Sequence, residues 1–133
     1  MLRWILLGAI LLVAALAAIT LFAAEGREVV LLTTLAEDGG KRTTRIWVAD
    51  TPQGTLIEAA NPERPFLAHV RARPSVELQR GSRTMQCTAT ELPNPQGHET
   101  IRNALREKYG WADWWVGHLD DMSRSIAIKL DCK

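Results

Sequence analysis

From Trp4 to Ala24 the chain carries no charged residue, and Leu, Ala, Ile and Val dominate. A helix that is apolar on every face has no side to turn to water. Crossing the ~30 Å hydrocarbon layer of a bilayer takes about 20 residues of helix, which this stretch supplies. It reads as a transmembrane anchor. A cleaved signal peptide has a shorter apolar region, roughly 7–15 residues, and small residues at both key positions of its cleavage motif. Here Leu21-Phe22-Ala23 and Phe22-Ala23-Ala24 both begin with a large one. Cleavage stays as the alternative. Residues 1–24 are therefore set aside as the anchor, in contact with membrane lipid through residues 4–24, and residues 25–133 as one domain. Arg3 and Arg27 on either side leave the positive-inside tally nearly even. The very short tail bearing Arg3 tips the reading to an N-terminus inside and a domain outside the cytoplasm.

With a net charge of +1 and basic residues scattered among acidic ones, the chain has no electrostatic footprint for nucleic acid. Neither CxxC, HxxxH nor HExxH occurs, so no metal site is expected. The two cysteines, Cys87 and Cys132, form a disulfide if the domain is exported, or else act as small apolar residues.

Within the domain, apolar Val29–Leu32 runs into Thr33 and Thr34, then an acidic turn with Gly39 and Gly40, then Lys41, Arg42 and Arg45. β-branched residues flanking a Gly-Gly turn predict a hairpin, with strands at Glu28–Leu35 and Arg42–Asp50. Amides at such a turn followed by guanidinium groups suit an anion such as phosphate, though an ordinary solvated hairpin has the same pattern. A turn at Thr51–Gly54 leads to a strand at Thr55–Ala59. Asn61 and Pro62 offer the cap and first turn of a short helix whose apolar side is Phe66, Leu67 and Val70 and which Pro74 ends. Ser75–Arg80 and Arg83–Leu92 read as a second hairpin, Gln96–Tyr109 and Trp111–Asp121 as helices separated by Gly110, and Ser125–Leu130 as a closing strand. About six short strands joined mostly by hairpins give a mainly β fold, an antiparallel barrel with helical insertions.

Several of these segments together resemble the deazaflavin-dependent nitroreductase family, within the FMN-binding split-barrel (pyridoxamine phosphate oxidase-like) superfamily. Leu32-Thr33-Thr34, then Gly39 and Arg42, is similar to that family's hairpin, Ala59-Ala60-Asn61 to its loop after the third strand, and Phe66–Leu78 to its most specific signature. The resemblance implies a split β-barrel behind the transmembrane helix. It implies that Arg42 pairs with the phosphate of a bound F420 or FMN, and that Thr34 and Gly39 shape the loop around it. It further implies that Thr44, Ile46 and Trp47 pass the ring and that Ala60 and Asn61 reach its edge. Phe66 stands where the family usually has Trp, and His69 where Asn is common. The family's basic pair in the turn falls on Ala36 and Glu37, with Asp38 beside them, which sets acidic groups against a phosphate.

The implied function is a membrane-anchored flavin- or deazaflavin-dependent oxidoreductase, passing a hydride to a planar quinone-like or nitro acceptor. The alternative is a non-catalytic anchored barrel without cofactor that binds a ligand or protein partner. The acidic turn favours the second, as does an exported domain, because reduced deazaflavin is recycled inside the cell. Tyr109, the only tyrosine, is the one phenolic proton donor on offer. His69 reads first as a structural histidine, and His98, His118, Arg71 and Arg73 as surface groups. Of the five tryptophans, Trp111, Trp114 and Trp115 cluster on the late helix; core packing over the barrel mouth comes first, then an aromatic wall or a membrane-interface shelf. The classical split barrel builds its site across a homodimer and the deazaflavin branch is often monomeric; both remain open.

Overall fold

The computed structural model describes residues 1–133. Helix α1 (Leu2–Glu25) precedes a seven-stranded sheet made of β1 (Val30–Leu35), β2 (Lys41–Ile46), β3 (Val48–Thr51), β4 (Gly54–Ala59), β5 (Ser75–Arg80), β6 (Arg83–Glu91) and β7 (Ile126–Cys132). Helix α2 (Pro65–Ala72) lies between β4 and β5, and α3 (Gln96–Tyr109) and α4 (Trp111–Leu119) between β6 and β7. Strand order is β2-β1-β5-β6-β7-β4-β3, with every neighbouring pair antiparallel. The expected mainly β barrel is present.

The order has one consequence that fixes the shape. Strands β2 and β3 lie at opposite ends of the sheet yet are joined through the single residue Trp47. Consecutive residues are only about 3.8 Å apart, so the sheet must curl until its two edges meet at Trp47. The long strand expected over Arg42–Asp50 is therefore two strands. The count rises from about six to seven because the chain changes edges inside a run of unbroken β propensity.

Alternation places the core. Val30 and Leu32 of β1, Ile57 and Ala59 of β4, Val76 and Leu78 of β5, Cys87 and Ala89 of β6 and Ile128 and Leu130 of β7 fill the interior. Phe66, Leu67 and Val70 of α2 plug its open side. A second apolar cluster lies outside the barrel, where Ala49, Leu56 and Ala127 meet Ile101, Leu105, Tyr109 and Ala112 of α3 and α4. Gly110, at φ +55°, supplies the left-handed turn between those two helices. Ala23 of α1 is wholly buried in this second cluster.

Three local expectations shift. Asn61 does not cap α2: its side chain accepts the Glu63 N–H at 3.1 Å in a tight turn, and α2 starts at Pro65, the better placed of two prolines for a first helical turn. Helix α4 ends at Leu119, and β7 runs on to Cys132 because it pairs with both β4 and β6. Of the late tryptophans only Trp115 packs against the second cluster, half-buried. Trp114 is 63% exposed and Trp111 is 44% exposed. Trp111 stacks on Phe22 of α1, and Trp115 donates its indole N–H to Thr20. Trp111 and Trp115 thus contact α1, while Trp114 lies against His118. Cys87 and Cys132 face each other across β6 and β7 and are joined as a disulfide.

Candidate functional site

A cavity of about 380 Å³ opens where the two sheet edges meet. Its walls come from β2 and the seam (Thr44, Ile46, Trp47), from the end of β4 and the start of α2 (Glu58, Ala60, Phe66), and from α3 and α4 (Arg102, Leu105, Asp113, Val116). Ala24 and Glu25, at the end of α1, form part of the rim. Pockets that hold organic ligands are typically about 300–1,000 Å³ and mostly apolar with a few placed polar groups. This one lies at the small end of that range, with half of its lining residues apolar and charged groups in both wall and rim.

Strand pairing explains why β2 contributes. Val30, Leu32 and Thr34 of β1 stand opposite Ile46, Thr44 and Arg42, so these six side chains share the inward face of the sheet. Because β2 is an edge strand, its inward residues meet the open seam instead of the packed interior. Arg42 lies on the same face as Thr44, about 7 Å further along the strand.

The expected site residues divide into three groups. Thr44, Trp47, Ala60 and Phe66, from three separate segments, converge on the cavity. Gly39 and Arg42 sit at the tip and shoulder of the hairpin, beyond the cavity lining. Gly39 adopts φ +81° in the turn, and Arg42 donates to Asp38 Oδ2 at 3.0 Å in an exposed ion pair. Thr34 and His69 form a separate pair beside α2: the Thr34 hydroxyl is buried and lies 3.0 Å from His69 Nδ1. His69 borders a second depression of about 590 Å³, with Glu37, Asp38 and Arg73 around it. Asn61 spends its side chain on the turn before α2.

Tyr109 lies outside the cavity lining and is wholly buried. Its hydroxyl donates to the Glu28 carbonyl at 2.6 Å and accepts the Val48 N–H at 3.2 Å. Its ring stacks on Trp47, with centroids 4.2 Å apart. Burial pushes its pKa up, so the phenol holds its proton. These contacts pin the start of β1 to the start of β3, which is the seam itself.

Sequence reasoning missed the most polar part of the cavity. Glu58, Arg102 and Asp113 form a buried ionic triad in its wall, with side chains 8%, 12% and 6% exposed. Arg102 Nη1 donates to Glu58 Oε1 at 2.8 Å, and Nη2 donates to both Asp113 oxygens at 2.6 and 2.7 Å. Burial raises the Glu58 pKa, with Arg102 acting against it. One signal for it was available. Glu58 is the lone charge in Leu56–Ala60, a run buried on both faces.

No family model matches the sequence, and no curated protein does. Solved structures match by shape. A putative pyridoxamine 5'-phosphate oxidase from Listeria innocua is 18% identical over 85% of this chain and 90% of its own, with a TM-score of 0.61. An F420-H2 dependent reductase is 23% identical over 79% of this chain and 95% of its own, with a TM-score of 0.56. A domain-swapped dimer gives the same identity and TM-score over 79% and 81%. This chain has the split-barrel fold. At these identities the likeness establishes the split barrel and no activity. The cavity in this split barrel is therefore judged on its own residues.

A flavin- or deazaflavin-type ring is planar and largely apolar, with polar atoms along its edges. The wall of Ile46, Trp47, Phe66, Leu105 and Val116, with the Glu58 carboxyl set into it, fits such a ring. For a phosphate the fit is looser. Arg42 is the group at the right end of β2, and it is held by Asp38 only through an exposed pair, the kind that contributes little.

Proposed function

We propose that this chain is a membrane-anchored oxidoreductase whose seam cavity holds the ring of FMN or F420. The observation that carries this reading is the convergence of Thr44, Trp47, Ala60 and Phe66 on one ligand-sized cavity. Such a cofactor supplies hydride chemistry when bound. The chain's part is to position and enclose. Trp47, itself backed by Tyr109, offers a fixed aromatic surface, and Phe66 closes the side against α2. Thr44 leads along β2 towards Arg42, which leaves Asp38 to pair with the phosphate. The second substrate is a planar acceptor of the quinone or nitro type.

Residues 1–24 serve as the anchor and residues 25–133 as the split-barrel domain. Helix α1 meets the length and apolarity requirement for crossing a membrane, a test a signal sequence also passes. The Cys87–Cys132 disulfide supports a domain outside the cytoplasm, since such bonds persist in oxidising compartments. That location favours FMN over a deazaflavin recycled inside the cell. A homodimer is part of the reading, supported by the domain-swapped dimer of similar fold.

The Asp38–Arg42 pair favours a second reading, a barrel without cofactor that binds a ligand or partner. Titrating the full chain in detergent with FMN and with F420, followed by the ligand's own fluorescence, separates the two. Saturable binding that Arg42→Ala weakens and Asp38→Asn tightens supports the oxidoreductase. Absence of binding by both ligands supports the second reading.

A further inference from the structure

The point at which the domain begins to touch α1 fixes the level at which the two would sit in a bilayer. Every residue from Met1 to Ile19 is exposed, and Thr20 is the first that is not. From Leu2 to Thr20 the helix rises about 27 Å, at ~1.5 Å per residue. The hydrocarbon layer of a bilayer is ~30 Å thick. A spanning α1 therefore uses up its free length inside the bilayer, and no spare turn is left to hold the domain away from the surface.

Helix α4 is the element at that level. Trp115 donates its indole N–H to the Thr20 hydroxyl at 3.0 Å, and the Trp111 ring stacks on Phe22 with centroids 6.0 Å apart. The later residue of α4 meets the earlier residue of α1, so α4 heads back towards the bilayer end of the anchor. Its free face is aromatic. Trp111, Trp114 and His118 are exposed at helical spacing, and the Trp114 and His118 rings lie 4.3 Å apart. Leu119, 61% exposed, ends the helix. Asp113, the one carboxylate of α4, is buried against Arg102, so the helix shows no Lys, Arg, Asp or Glu to its surroundings. Large apolar side chains gathered on one exposed face mark a surface that meets something other than water. Indoles, with an apolar ring and one polar N–H, are favoured where hydrocarbon gives way to headgroups.

We propose that the exposed face of α4, through Trp111, Trp114 and Leu119, lies in the headgroup region of the phospholipid bilayer that α1 enters, as a second membrane contact beside the span. The inference rests on the reading of α1 as a membrane anchor given above. Continuity selects lipid over a second copy of the chain: the aromatic face adjoins the exposed apolar surface of α1 and stands where the free length of that helix ends. Ala24 and Glu25 follow Thr20 by little more than one helical turn, so the same docking holds the rim of the seam cavity beside the headgroups.

The test uses the full chain in phosphatidylcholine vesicles, part of whose lipid carries bromine on the acyl carbons nearest the headgroup, with tryptophan emission as the readout. Trp4 lies in α1, so Trp4→Phe removes the anchor's own signal. In that variant brominated lipid should still quench the emission, and adding Trp111→Phe and Trp114→Phe should remove most of that quenching. Both positions are exposed, and circular dichroism checks that the fold is kept. Quenching that Trp4→Phe alone abolishes would leave the anchor in place and overturn the proposal. So would quenching that stays the same without Trp111 and Trp114. Indoles shielded from both brominated lipid and aqueous acrylamide would give the face to a second copy or another protein, and would also overturn it. Quenching through Trp111 and Trp114 in a chain that alkaline carbonate strips from the vesicles would uphold the α4 contact and overturn the anchor, so the two fail separately.

Discussion

Tyr109 shows how one side chain holds the seam on which the site depends. Its hydroxyl satisfies a carbonyl before β1 and an N–H at the start of β3, and its ring backs Trp47. In Tyr109→Phe both backbone groups lose that partner inside the protein. Urea denaturation should show a loss of about 1–3 kcal/mol, with ligand affinity little changed. A large loss of affinity with stability intact would instead return Tyr109 to the chemistry. At this scale the sequence was legible where a residue acts through its neighbours in the chain. Thr44, Trp47, Ala60 and Phe66, candidates from the hairpin and the segment around α2, come together at one cavity, since the local structure of those segments fixes them. The Glu58–Arg102–Asp113 triad was legible only as the lone charge in Leu56–Ala60, because its members meet only after β4, α3 and α4 have packed. Asn61 misled for a related reason: an Asx turn and a helix cap use the same side-chain bond, and Pro65 decided between them.

At the scale of elements, the curl of the sheet is fastened by charge as well as by Trp47. Arg80 of β5 donates to Glu28 before β1 and to Asp50 of β3, while Lys108 of α3 reaches Glu28 and the Val48 carbonyl. Since β3 and β5 are far apart in the strand order, the Arg80–Asp50 pair spans the seam. The Arg80 guanidinium holds the Asp50 carboxyl down to about 2 and also lowers that of Glu28. A carboxyl whose folded value lies below its unfolded one contributes stability above the unfolded value, 3.8 for Asp50. That contribution is lost as pH falls through about 2. Urea midpoints measured across this acid window should fall with pH, and Arg80→Met should flatten the fall. An unchanged slope in that variant would show that the clamp does not hold the seam. Strand limits were mostly readable from alternation. The break at Trp47 was not, because Arg42–Asp50 keeps its β propensity straight through the point where the chain changes edges.

At the scale of the whole molecule, α1 does not stand apart from the barrel. Its last turns are built into the domain: Ala23 is buried, the Ala24 carbonyl accepts the Trp47 indole N–H at 2.9 Å, and Glu25 pairs with Arg45. Helix α1 therefore ends at the rim of the cavity and contacts the wall residue Trp47. Removal of residues 1–24 should lower the melting temperature relative to removal of residues 1–19, by about 5 °C or more for each kcal/mol lost. Equal melting temperatures would mean that the junction is a passive linker. Trp111 and Trp114 stand exposed on α4, which packs against α1. If α1 crosses a bilayer as proposed, exposed indoles beside it suit the interface, where such side chains are favoured. Composition gave the cluster its aromatic character, but its neighbour was hidden because the anchor had been set apart from the fold.

The central claim is that the seam cavity is the ligand site, and a cavity-filling variant tests it most directly. Ala60 lines the cavity and is nearly buried, so Ala60→Trp should occupy the space meant for a ring. In parallel titrations of the full chain with FMN and F420, the wild type should bind at least one of them saturably. Ala60→Trp should bind neither while keeping the wild-type circular dichroism. Equal binding by both proteins would contradict the account, as would failure of the wild type to bind either ligand.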